Sequence, residues 1–194
     1  MSGGVTPGMA IPKQQDLVDV IIADHREVEA TFDELAASGD ARNRRVLVEH
    51  AIAVLVRHTA AEEQYLFPTV RRALPDGEDI ADLEVGSLAD TERLLKQLEQ
   101  TDAADPRFPD QVQDLYTAVR RHVRECERDM LPRLRAACED AELRELGMKF
   151  QQSKKFAPTR PHPATPNHPP MNKVADAGMG LIDRVRDTLT GRDK

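Results

Sequence analysis

The sequence predicts an all-helical fold: an up-down-up-down four-helix bundle with a Pro-rich C-terminal extension. Three observations lead there. Alternating β-rich runs are absent, while Ala, Leu, Glu, Arg and Gln dominate. Four long stretches carry apolar residues at helical spacing, joined by short turn signals that favour antiparallel neighbours. A Pro-containing helical motif also occurs twice, which suggests a duplicated helical hairpin.

Residues 1–13, rich in Gly, Pro, Met and Ser, read as a loose arm, and residues 14–154 as the bundle. The first helix is expected over about 14–38, with Leu17, Val18, Ile21, Ile22, His25, Val28, Phe32 and Leu35 on one face. Gly39-Asp40 is a stop followed by a cap. The second helix, about 41–73, contains Pro68, which removes a hydrogen bond and should kink it. The third, about 78–101, should bury Ile80, Leu83, Leu88, Leu94, Leu95 and Leu98. The fourth, about 109–139, carries its own Pro132, and a shorter amphipathic piece follows to 154.

Composition changes from 155 to 194. Six prolines between Ala157 and Pro170 predict an extended strap. Leu181, Ile182, Val185 and Leu189 then form an apolar stripe too short to stand alone as a helix, expected to dock on the bundle or to form a homodimer.

Charge and composition exclude several classes. A net charge of −7 argues against nucleic acid or an anionic membrane as partner. No apolar run approaches the ~18 residues of a membrane span. Met1 to Lys13 lacks the basic and apolar regions of an export signal. Cys126 and Cys138 would lie about 18 Å apart along one helix, too far for a disulfide. A reduced, cytoplasmic compartment is the expectation.

The chemistry is concentrated in the repeated motif. His58 and Glu62 fall one helical turn apart on the stripe that also carries Leu55, Leu66 and Val70, so both face the interior. Around His122 the pattern returns: Arg before the His, Glu five residues after it, Pro ten after it. Cys126 replaces Glu62 in the second copy, and Leu88 stands where the first half has His25. A single His on an apolar face is ordinarily a hydrogen-bonded core residue. Three of them on three helices, with Glu62 one turn from His58, point instead to a metal site. Imidazole and carboxylate donors suit iron, manganese or zinc rather than calcium or magnesium. Glu63 and Glu127 lie ~140° round from their His and are expected to face solvent. His50, two turns before His58, is a candidate for a supporting hydrogen bond or a structural role.

These residues resemble the hemerythrin-like (HHE cation-binding) family over about residues 14–150, and the tail resembles those of actinobacterial members. The family pattern is His in the first helix, His-x3-Glu in the second, His in the third and His-x3-Glu in the fourth, with Pro after the second and fourth motifs. The resemblance implies a bridged non-haem di-iron centre that binds dioxygen, senses oxygen, nitric oxide or redox state, buffers iron or decomposes peroxide. Carried over by position, His25, His58, Glu62 and His122 match ligands. Leu88 takes the place of the third-helix His and Cys126 that of the second bridging Glu. Glu127 has the His-x4 spacing at which hemerythrins proper place an Asp, and is the fifth candidate ligand. With two ligand positions changed, one iron per chain is expected in preference to two. Its reaction partner would be a small diatomic molecule or peroxide. Two other functions remain open at this level: an interaction or assembly module whose site has decayed, and a non-haem iron oxygenase acting on an organic substrate.

Overall fold

The structure, a computed structural model, describes residues 15–157. The N-terminal arm, most of the strap and the terminal apolar stripe lie outside the described residues.

Helix α1 (Leu17–Ala37) starts at Asp16, whose side chain accepts a hydrogen bond from the Asp19 N–H at 2.9 Å. Asp40 caps α2 (Ala41–Ala61) in the same way, through the Asn43 N–H. The second long helix then widens into a π turn over Glu62–Leu66 and resumes as α3 (Phe67–Ala73). Helix α4 spans Gly77–Gln100. The fourth long helix repeats the second: α5 (Phe108–Glu125), a π turn over Cys126–Met130, and α6 (Leu131–Ala137). Helix α7 (Asp140–Lys154) closes the described chain.

The two prolines explain the two wide turns. Pro68 and Pro132 fall at the start of α3 and α6, just after each π turn. A proline in a regular helix lacks an N–H and crowds the carbonyl four residues back. In both wide turns the ladder shifts by one residue, with Phe67 N–H donating to the Glu62 carbonyl and Leu131 N–H to that of Cys126. The disturbance expected from Pro68 therefore takes the form of a π turn, and it sits directly beside the repeated His.

Two apolar clusters show how the helices run. One holds Leu17, Ile21, Leu66, Val70, Ala81, Leu88, Leu131, Leu134, Leu143 and Phe150. The other holds Val28, Phe32, Leu35, Val48, Leu55, Leu95, Leu98, Phe108 and Leu115. Helix α1 enters through the first and leaves through the second, α2–α3 returns, α4 repeats the path of α1, and α5–α6 returns again. This is the expected up-down-up-down order. No helix among the described residues is long and apolar enough to cross a membrane.

The third long helix departs from expectation at Leu83, which is 72% exposed, while its neighbour Glu84 is buried. Glu84, Leu88, Thr91, Leu95 and Leu98 form the buried stripe. A carboxylate is tolerated there because an imidazole binds it.

Helix α7 packs across α1, α2 and the first π turn, at the end of the bundle that holds the first cluster. Gly147 permits the close approach: a Cβ there would lie 2.8 Å from the Asp16 carbonyl carbon and 2.9 Å from the Leu17 nitrogen. Backbone cannot yield as a side-chain tip does, so Gly147→Ala should cost roughly 1–3 kcal/mol through overpacking. Chemical denaturation of the two proteins measures it; coincident midpoints would show that α7 docks more loosely than the geometry states.

Candidate metal centre

Four polar side chains meet between the two apolar clusters: His25 from the middle of α1, His58 from the last turn of α2, Glu62 at the head of the first π turn, and His122 from the last turn of α5. All four are buried, and their candidate ligand atoms lie within 4.8 Å of one another. The ring centroids of His25 stand 5.1 Å from His58 and 5.8 Å from His122.

Each imidazole is held from behind by a carboxylate. His25 Nδ1–H donates to Glu127 Oε1 at 2.9 Å, His58 Nδ1–H to Asp24 Oδ2 at 3.2 Å, and His122 Nδ1–H to Glu84 Oε2 at 2.8 Å. A carboxylate only accepts, so each contact places the proton on Nδ1 and turns Nε2 inward. The three Nε2 atoms and both Glu62 oxygens are buried without a hydrogen-bond partner among the described residues. Glu62 Oε1 stands 3.3 Å from both His58 Nε2 and His122 Nε2, without hydrogen-bond directionality. Buried polar atoms are nearly always satisfied. Five unsatisfied ones facing a common point are the arrangement a cation resolves, and the donors fit a borderline or transition metal. Carboxylates behind metal-binding imidazoles are also the usual way of fixing ring orientation.

The electrostatics follow from burial and these pairings. Burial pushes His58 down, but the Glu62 charge and the Asp24 hydrogen bond outweigh it and carry the ring up to about 9. Burial likewise lowers His122, and Glu62 and Glu84 together raise it to about 10. Glu62 pays for its burial with two cationic neighbours, His58 and His122, which hold its carboxyl well below the usual range. His25 goes the other way, to about 4, because burial and the His58 charge exceed the help from Glu62 and Glu127. Without metal, two protons therefore occupy the centre.

Glu127 lies outside the group of four. Its two oxygens accept from His25 and, at 2.6 Å, from Arg26, so it stands behind an imidazole. Solvent exposure was the sequence expectation for Glu127 and Glu63, and both are only half-buried. A π turn advances less per residue than an α turn, which brings each side chain back towards the bundle. At Glu63, burial and the nearby Glu92 and Glu62 charges raise the carboxyl to about 7. His50 is exposed and stands apart from the centre. Cys126 is fully buried among apolar residues, and burial pushes its thiol well up.

Asp24 and Glu84 were missed in the sequence. Both continue a buried stripe, Leu17-Ile21-Asp24-Val28 and Glu84-Leu88-Thr91, and a carboxylate on such a stripe is the signal that identifies them.

Beside the imidazoles lies a cavity of about 20 Å³, lined by the three rings, by Val28, Leu55, Leu88, Val119 and Val123, and by Thr59 and Thr91. That volume suits one water-sized occupant. Leu88, standing where the resemblance places a further His, forms part of this wall.

Comparison with known proteins agrees with the geometry. Residues 16–134 match the family described as hemerythrin HHE cation binding domain. An uncharacterized hemerythrin-like protein of Schizosaccharomyces pombe is 25% identical over 178 residues, covering 91% of this chain and 88% of its own. A DNA nickase of Nostoc sp. is 28% identical over 142 residues, spanning 73% of this chain but 40% of that protein. The crystal structure of a hemerythrin HHE cation binding domain-containing protein from Mycobacterium kansasii shares the fold, with a TM-score of 0.65 over 73% of this chain and 86% of that one at 21% identity.

Proposed function

The chain belongs to the hemerythrin HHE cation-binding family, and from that premise we propose that it holds one non-haem iron and uses it to bind or react with a small molecule such as dioxygen, nitric oxide or peroxide. The observation that carries this reading is the set of five buried, unpartnered ligand atoms on His25, His58, His122 and Glu62. Those residues would hold the ion, with Asp24, Glu84 and Glu127 fixing the three rings. A ferrous ion held by these residues would supply binding of, and electron transfer to, small oxidants and gases.

The chain's own residues define what can approach. Val28, Leu55, Leu88, Val119 and Val123 keep the space beside the imidazoles apolar. A cavity of about 20 Å³ favours a small ligand over an organic substrate. Retention of three oriented rings supports a working site over a decayed one, because each buried imidazole and carboxylate costs stability unless it is satisfied. The Nostoc relative is a DNA nickase, but the match covers only 40% of it, and the charge of −7 here does not favour a nucleic-acid partner.

Nitric oxide titrated anaerobically into the ferrous protein tests the reading. Saturation at about one per chain is expected. Leu88→Phe, which fills the cavity, should weaken nitric oxide binding about tenfold or more while iron content stays unchanged. An iron-loaded protein with no optical or paramagnetic response to nitric oxide or peroxide would overturn it.

A further inference from the structure

Helix α7 lies beyond the segment that matches the family, which ends at residue 134. Two of its side chains nevertheless reach the metal centre. Lys154 Nζ lies 2.5 Å from Asp24 Oδ1, and the other oxygen of the same carboxylate accepts from His58 Nδ1–H at 3.2 Å. Phe150, one turn earlier on the same face of α7, is fully buried and meets the His58 ring edge-on at 6.0 Å between centroids. The His25 ring has the same cation–carboxylate–imidazole chain, through Glu127 and Arg26, but there every member comes from the matched segment. Among the described residues, the carboxylate behind His122 makes no ion pair beyond that with the imidazole itself.

We propose that α7 is a working part of the metal centre, with Lys154 a positioning residue that fixes His58 through Asp24. A carboxylate held at one oxygen alone swings about its Cβ–Cγ bond. Held at both, it presents Oδ2 in one direction, and the imidazole it binds then aims Nε2 at one point. Phe150 blocks the remaining freedom by walling the ring. The close crossing at Gly147 keeps α7 in register with the start of α1, so Lys154 and Phe150 arrive at the correct height.

This rests on the reading of His58 as a metal ligand, and the experiment separates the two claims. Cobalt(II) is titrated into the metal-free full chain of the wild type, Lys154→Gln, Lys154→Arg and His58→Ala, with absorption bands and affinity read together. The His58 Nδ1–H proton resonance is followed in the zinc-loaded proteins. Lys154→Gln should weaken cobalt about tenfold, alter its absorption bands and broaden the His58 resonance, while Lys154→Arg restores all three. A structural role alone would move the melting temperature without touching the resonance or the bands. If Lys154→Gln matches the wild type in affinity, bands and resonance while His58→Ala loses cobalt, the role of α7 is overturned and the metal centre stands. If His58→Ala binds as tightly as the wild type, both fall.

Discussion

His58→Ala should empty the metal centre. A four-ligand structural site is worth roughly 10–16 kcal/mol, so one ligand carries about a quarter of that, a hundred- to thousandfold in affinity. Iron content after purification without chelators should fall from near one per chain to near zero. The same change leaves Glu62 fully buried and short of one of its two cationic neighbours, and an uncompensated buried charge costs roughly 3–5 kcal/mol. The variant should therefore also melt at lower temperature. Cys126→Ala is the control, because that thiol is buried but lies outside the group of four; it should lose some core packing and keep its iron. Equal metal in the wild type and His58→Ala would end the assignment, and two tightly held irons in the wild type would end the view of a single site.

The second large effect is on pH. Folding raises His58 to about 9 and His122 to about 10, both above the unfolded value near 6.5. Groups shifted upward stabilise the fold fully below about 6.5, and that contribution fades as pH rises through 9 to 10. His25, lowered to about 4, acts in the opposite sense: its contribution is present above about 6.5 and is lost as pH falls towards 4. The metal-free protein should thus lose stability on the alkaline side through two imidazoles and on the acid side through one. Metal must displace the two protons at the centre. Apparent zinc affinity should therefore rise by about two decades per pH unit between pH 7 and 8.5, more slowly as pH passes 9, and level off above 10. Calorimetry in buffers of different ionisation heat should count about two protons released per metal. A pH-independent affinity would mean that the rings are already neutral and that Glu62 is not balanced by them.

The helices and the four central residues were legible in the sequence because both depend on local periodicity. Apolar residues at helical spacing mark the stripes, and His25, His58, Glu62 and His122 interrupt those stripes at positions that must face inward. The two prolines likewise marked where each long helix would be disturbed. Leu83 shows where this reasoning stops. By hydrophobicity it belonged inside, yet the neighbouring Glu84 took the buried place, because an imidazole from another helix met it there. That exchange is decided by the distance between α4 and α5, which no residue on α4 reports.

What the sequence alone determined is the bundle and its polar centre, since the backbone repeat fixes which residues share a face. Tertiary structure alone decided which carboxylate stands behind which ring: Asp24 behind His58, Glu84 behind His122, Glu127 behind His25. It also brought α7 to the His58 ring and left the cavity beside Leu88. The physical reason is reach. A hydrogen bond requires atoms about 3 Å apart, and only the packing of whole helices brings residues 34 to 102 positions apart in the chain to that distance.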